Sequence, residues 1–383
     1  MKSAARSTLP HAMGRGAMAV AAAAALVGVA MAPAVADEHT AVVASGLNSP
    51  RNLSFAPNGD LYIAESGAPS EDAAPCVDHP EFGQVCLAHT SSISLLSRHG
   101  VQSRPVTGLP ALVNPEEAVG ASDVVLHGNV LSVAMGLGGT PDLRDALGDE
   151  AAPLGTVVDI KQNGPNASLS VRADLAAYED ANDPDGAGSD SNPVAVTFDG
   201  RDLLAVDAGA NAVLGVGKKG GVSEFAVFAE PVLVDPPPFP APPELPGGWP
   251  DPFPAQSVPT DVAKGPDGAW YVSELTGFPF QAGAATIWRV AADGSRTAYA
   301  TGLTNVTSLA WNGDTLYAVQ ISDGGLLGGP IGSLQRVDPA GAHETVVGGL
   351  FAPYGVAIRA GHAYVTTGSV LPGGGEVLKV ALG

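Results

Sequence analysis

The sequence lacks most of the signatures by which an activity can be read directly. It has two cysteines, Cys76 and Cys86, and only 18 lysines and arginines against 39 aspartates and glutamates. No basic stripe with interleaved aromatics exists for single-stranded nucleic acid, and a formal charge of −21 repels phosphate backbones and anionic lipid. There is no G-x-S-x-G elbow, no H-E-x-x-H helix and no glycine loop ending in Lys-Ser/Thr. The usual serine-hydrolase, zinc-protease and P-loop chemistries therefore have no carrier. Charged residues make up only 15% of the chain and hydrophobic ones 45%, which excludes a disordered polyelectrolyte.

What is abundant is glycine (49) and proline (33), too many breakers for a helix bundle and the mark of a turn-rich, all-β chain. The one long apolar run lies at the start. Lys2, Arg6 and Arg15 precede Ala17–Ala32, and Ala34-Val35-Ala36 supplies the small residues of a cleavage site. Residues 1–36 thus read as a Sec-type signal peptide, and the chain is expected to be secreted, with no membrane attachment after cleavage. No Arg-Arg pair or following Cys points to twin-arginine export or a lipid anchor. Those 36 residues carry three positive and no negative charges, so the remainder has a net charge of −24, a surface that attracts cations.

In an exported chain the two cysteines are expected to pair. The closed loop is short, worth about 2–3 kcal/mol in a chain-entropy picture. The alternative is metal: Cys76-x-x-His79 and Cys86-x-x-His89 would offer four zinc ligands if the thiols stayed reduced.

Self-similarity is the main signal. Six segments share one grammar: a polar, often Pro-led start, a short apolar strand, a Gly/Asp/Asn turn, then a strand rich in β-branched and aromatic residues. The copies are Pro50–Phe55 with Leu61–Glu65, Ala121–Leu126 with Val130–Ala134, and Pro193–Phe198 with Leu203–Asp207. Pro259–Lys264 with Trp270–Glu274, Val306–Trp311 with Leu316–Gln320, and Pro353–Ile358 with Ala363–Thr367 complete the set. Asn-Gly and Asp-Gly supply the positive φ of tight hairpins. The second strands end at 65, 134, 207, 274, 320 and 367; the last two intervals, 46 and 47, are the size of a bare four-stranded blade. The expected fold is a six-bladed β-propeller occupying residues 37–383, with insertions at 67–90, 136–155 and 231–259. The last copy has only three strands, and His39–Val43 has no blade of its own, so the amino end is expected to close the ring as an outer strand. The proline-dense stretch 231–259 is expected to be a surface loop between blades 3 and 4.

Two columns of polar residues follow from the repeat. At the start of the inner strands stand Asn52, Asp123, Ala195, Asp261, Ser308 and Gly355, with Arg51, Asp190 and Asn192 alongside. At the ends of the second strands stand Glu65, Ala134, Asp207, Glu274, Gln320 and Thr367. Inner strands line a propeller's channel, so Asn52, Asp123, Asn192 and Asp261 are candidate oxygen ligands for a cation such as Ca²⁺, which takes six to eight oxygens. Glu65, Asp207, Glu274 and Gln320 are candidate ligand-binding residues. The plainer reading is that both columns cap strands and bond backbone groups. Glu179, Asp180, Asp183, Asp185 and Asp190 crowd one stretch that fails the EF-hand template and reads as a solvated, turn-rich loop, with a calcium loop as the alternative.

The column arrangement resembles that of calcium-dependent propeller lactonases, with acidic and amide ligands at blade entrances. Gly46–Glu65 also looks like the first blade of quinone-dependent sugar dehydrogenases. A tricarboxylate cofactor needs a cationic pocket, for which only Arg51 and Arg289 offer themselves. The same opening, with Gly265–Phe280, Ile287–Val290 and Asp190–Pro193, resembles the ScyD/ScyE family of exported propeller proteins over essentially the whole chain after the signal. That resemblance implies fold and export; it brings no catalytic residues. Function is thus expected to be binding of a small molecule, glycan or protein at a propeller face, with a Ca²⁺-dependent extracellular hydrolase or lactonase as the alternative and a quinone-dependent dehydrogenase as a third.

Overall fold

A computed structural model describes residues 40–163 and 166–383; residues 1–36, expected to be a signal peptide, and His39 lie outside the described range. Six antiparallel sheets follow one another along the chain, each beginning at one of the repeat copies. Blade 1 runs Pro50–Phe55, Leu61–Glu65, Gly83–Leu96 and Gln102–Val113. Blade 2 runs Ala121–His127, Val130–Met135, Thr156–Asn163 and Asn166–Asp174. Blade 3 runs Pro193–Asp199, Asp202–Asp207, Ala212–Val216 and Val222–Val227. Blade 4 runs Pro259–Lys264, Trp270–Glu274, Ala285–Val290 and Arg296–Leu303, and blade 5 Val306–Asn312, Thr315–Gln320, Ile331–Arg336 and Glu344–Phe351.

Blade 6 is Val356–Arg359, His362–Thr367 and Gly375–Ala381, completed by Thr40–Leu47 from the amino end. Thr40 pairs with Val380 and Leu47 with Gly375, so the chain closes its own ring. The last inner strand begins at Val356 rather than Pro353. Gly355 is pressed so close to Arg51 that an added Cβ would lie 2.7 Å from its carbonyl oxygen.

The second strands show why both faces are apolar. Leu61 and Ile63 pack toward blade 6, in a cluster with Leu47 and Val377, whereas Tyr62 and Ala64 pack toward blade 2 against Val124 and Leu131. The same division recurs in blade 5, where Leu316 and Ala318 face blade 4 and Tyr317 and Val319 face blade 6. The core is therefore six interfaces between neighbouring blades rather than one centre, and each strand must be hydrophobic on both sides.

The insertions are more ordered than loops. Residues 67–90 contain Cys76–His79, which pairs with the first half of the 14-residue strand Gly83–Leu96. Residues 136–155 hold a short helix, Pro141–Ala146, and a 3₁₀ turn, Asp149–Ala151. The stretch 231–259 carries a ribbon, Val232–Val234 with Phe253–Ala255, and Phe239, Trp249 and Phe253 cluster with Phe278. Glu179 lies on a helix, Leu175–Asn182, and is fully buried, which corrects the expectation of a solvated loop across the acidic stretch. The repeat grammar did not show this helix because its buried face is Leu175, Ala176 and Glu179, an apolar stripe interrupted by a carboxylate. Among the described residues no helix is long and apolar enough to cross a membrane.

Candidate functional site

The inner strands do not start regularly. In blades 1 to 5 the register with the second strand slips between Pro50/Leu53, Ala121/Asp123, Pro193/Ala195, Pro259/Asp261 and Val306/Ser308. Such a bulge re-aims the side chain beside it. The column residues Asn52, Asp123, Ala195, Asp261 and Ser308 all stand at this slip.

Re-aimed in this way, the first column reaches from blade to blade. Asp123 Oδ2 accepts from the Val196 amide at 2.9 Å, Asp261 Oδ2 from the Leu309 amide at 2.8 Å, and Ser308 Oγ from the Val356 amide at 3.2 Å. The remaining joints use other groups: Ser66 Oγ donates to Ala121 O, Asn211 Oδ1 accepts from the Val258 amide, and Thr366 Oγ1 donates to Arg51 O. Each of the six blade junctions is therefore stitched near the axis. Asp123 and Asp261 spend their second oxygens on the amides of Val124 and Val262, both at 2.7 Å.

The second column closes its own blade. Glu65 accepts from the Asn48 amide at 2.6 Å and from Ser94 Oγ at 2.6 Å, and takes a two-pronged bond from Arg104 at 2.8 and 2.7 Å. Asp207 accepts from the Asn192 amide and Ser191 Oγ, both at 2.6 Å, and Glu274 from Ser257 Oγ and the Thr286 amide. Gln320 Oε1 accepts from the Thr304 amide at 2.8 Å. Each side chain holds the turn that leads into the inner strand of its own blade. The structure thus encloses these four residues in separate blades rather than gathering them at one point.

What does gather at the axis is a small buried group that includes two residues no motif or repeat position singles out, Glu117 and Tyr354. Arg51 donates from Nε to Ser66 Oγ at 3.0 Å, lies 3.9 Å from Glu117 Oε1, and places its guanidinium 4.8 Å from the centre of the Tyr354 ring. Arg51, Ser66, Glu117, Ser122, Asn192 and Tyr354 line a cavity of about 20 Å³, room for one water or ion. Burial pushes the Glu117 carboxyl up to about 7 against the opposing pull of Arg51. Burial, and then the charge of Asp261, push Asp123 up to about 8; burial also raises Asp261. Tyr354 is raised to about 12 by its burial. Glu117 has Arg51 beside it, whereas Asp123 and Asp261 face each other's charge, so ionising both is costly.

Of the residues expected to hold a cation, Asn52, Asp123 and Asp261 stand on the inner strands, and Asn192 lines the mouth cavity. Asn192 Oδ1 already accepts from the Leu137 amide at 3.2 Å. Asn52 Oδ1 is buried without a partner, while its Nδ2 donates weakly to Val194 O at 3.4 Å. An orphaned buried acceptor suits a cation chemically, whereas the oxygens of Asp123 and Asp261 are shared with amides. Among the described residues the one group of three acidic, histidine or cysteine ligand atoms within 4.8 Å of one another is Glu179, Asp183 and Asp185, a cluster able to coordinate a cation.

The zinc alternative at the cysteine hairpin is overturned. Cys76 and Cys86 form a disulfide, so no thiolate is left to bind metal. His79 Nδ1 accepts from the Glu81 and Phe82 amides, which leaves Nε2–H to donate to Gly138 O at 2.7 Å. His89 lies elsewhere, 3.1 Å from Glu150. His79 is instead a latch holding the hairpin to the blade 2 insertion, and burial lowers its basicity.

The geometry agrees with known folds. The chain superposes on an oxidoreductase (glucose dehydrogenase) of Thermus thermophilus with a TM-score of 0.55, at 17% identity, covering 89% of this chain and 99% of that one. A Bacteroides thetaiotaomicron protein of unknown function gives 0.51 at 10% identity, over 90% and 75%. The PQQ-bound aldose sugar dehydrogenase of Streptomyces coelicolor gives 0.48 at 11% identity, over 89% and 97%. The likeness is one of fold: a six-bladed propeller closed by its amino-terminal strand. No protein-family model matches the chain, and no curated protein matches it.

Proposed function

We propose that this chain is a secreted propeller that hydrolyses a small extracellular ester, lactone or glycan at the blade-entrance end of its axis, with a cation as helper. The observation that carries this reading is Glu117. It is a half-buried carboxyl pushed up to about 7, where general acid–base groups work best, with Arg51 beside it to stabilise a developing anion. Its side chain keeps 14% of its surface exposed, so a substrate meets it from the outer side of the cavity. Asn52, Asp123, Asn192 and Asp261 are the residues that would hold Ca²⁺, which when bound polarises a carbonyl oxygen. Tyr354 and Ser66 hold Arg51 in place. Membership of the ScyD/ScyE family, supported by the sequence motifs, accords with export and with the closed propeller.

A second reading, a non-catalytic binding module, is favoured by the fact that Asp123 and Asp261 each spend both oxygens on backbone amides. The quinone-dependent reading has little support: Arg51 is engaged by Glu117 and Ser66, and Arg289 is bound to Asp267 at 2.8 Å on the surface. The test is a panel of small lactones and aryl esters with the purified chain, with and without chelator. Glu117→Gln should lower kcat about 10²–10⁴-fold while the fold is kept. Absence of hydrolysis across the panel, with a glycan or peptide bound, would establish the binding module instead.

A further inference from the structure

We propose that Glu179, Asp183 and Asp185 form a Ca²⁺ site that fixes the connection between blades 2 and 3. The site is built from the end of the helix Leu175–Asn182. That helix is anchored at its start: Asp174 caps it by accepting from the Ala177 amide and is itself gripped by Arg144 through two bonds of 2.9 Å. It ends at Asp183, whose backbone turns left-handed (φ 45°) and whose amide donates to Glu179 O at 2.7 Å. The turn brings Asp183 and Asp185 back over Glu179, so that one oxygen from each lies within 4.8 Å of the others. Oxygens around one Ca²⁺ at about 2.4 Å are spread over that range.

A cluster of carboxylates alone would show little, since exposed acids tolerate one another in water. Glu179 is not in water. It is fully buried, and no hydrogen bond of ordinary geometry reaches either of its oxygens. The charges that face it are those of Asp207, Asp185 and Asp183. A carboxyl so placed must hold either a proton or a cation. Its neighbours are arranged for the cation. Asp183 Oδ1 accepts from the Gly188 amide, and Asp185 accepts from the Ala187 amide and from Asn211 Nδ2, each at 2.8 Å. These bonds aim the two side chains toward Glu179. An all-oxygen set of three carboxylates with no nitrogen or sulfur selects a hard cation, and irregular geometry favours Ca²⁺ over Mg²⁺.

The consequence reaches the axis. The segment after Asp185 runs to Ser191 and Asn192, which Asp207 holds down, and Asn192 lines the mouth cavity. A cation at Glu179 would stiffen one wall of that mouth without touching it.

The experiment uses the full chain, stripped with chelator and then titrated with CaCl2, followed by equilibrium dialysis and thermal melting. The wild type should gain a few degrees in Tm at millimolar Ca²⁺. Glu179→Gln, a mimic of the protonated side chain, should lose that gain, while its metal-free melting point equals or exceeds that of the wild type. Asp183→Asn keeps the left-handed turn and the Gly188 bond and should weaken Ca²⁺ binding about tenfold or more. Asp314→Asn, in the exposed turn between the first two strands of blade 5, should leave the gain intact. The proposal is overturned if the wild type takes up no Ca²⁺ at about 5 mM, or if Glu179→Gln and Asp183→Asn respond to Ca²⁺ as the wild type does.

Discussion

Glu65, Asp207, Glu274 and Gln320 close the turns of their own blades, whereas Asp123, Asp261 and Ser308 reach across to the next blade. Both columns do the same local chemistry, an acceptor oxygen taking a backbone amide. They differ in where the leftover charge goes. In the second column it stays within a blade, and at Glu65 it is neutralised outright by Arg104. In the first column it accumulates around the buried Tyr354, where Asp123 feels Asp261 and the phenol feels both, together with Glu117 and Arg51. Capping alone does not require such an accumulation. On the proposed function, the end of the axis where these charges meet Glu117 and Arg51 is where a substrate would be worked on.

The sharpest way to break this comparison is at Glu65. Glu65→Ala strands Arg104 and frees the Asn48 amide, and should cost about 3–5 kcal/mol of unfolding free energy in a denaturant titration. A loss below about 1 kcal/mol would mean that the pair is ordinary surface electrostatics.

A smaller effect, of a different kind, belongs to the axis. The folded-state proton affinity of Asp123 is raised, so its contribution to stability is fully present below its unfolded pKa and is lost as pH rises toward about 8. Glu117 acts in the same direction up to about 7. Stability of the metal-free chain should therefore decline between about pH 4 and pH 8, and Asp123→Asn should flatten that decline; equal slopes in the two proteins would show that the axial charge is already settled. The smallest effect is expected at Gln320. Its side chain is neutral, and Gln320→Ala loses the bond from the Thr304 amide and the donation to Asp323, together about 2 kcal/mol.

Much of this fold is legible from the chain. Pro-led starts and Asn-Gly or Asp-Gly turns mark the hairpins, and the strand left over before the first repeat copy is the one that closes blade 6 on Val377 and its neighbours. The site is less legible, for identifiable reasons. A one-residue bulge at the inner strands of blades 1 to 5 breaks the period-two rule at the column residues themselves, so sequence spacing places them in the fold without showing where they point. Glu117 arrives from the connection after blade 1, in a turn organised by Asn114, which accepts from the Glu116 and Glu117 amides, and no repeat position predicts it. Glu179 is hidden because a carboxylate in the buried stripe of a short helix looks like a surface residue. Tyr354 left one usable trace, its position just before Gly355, where the absence of a side chain lets two backbones touch.

The central claim is that the axial mouth holds a carboxyl poised for acid–base work, and the most direct measurement is a carboxyl-carbon NMR titration of the chain against Glu117→Gln. The account predicts one resonance titrating near pH 7 that is absent from the variant. If that resonance persists in the variant, or every carboxyl of the wild type titrates below about pH 5, the mouth is not the working site.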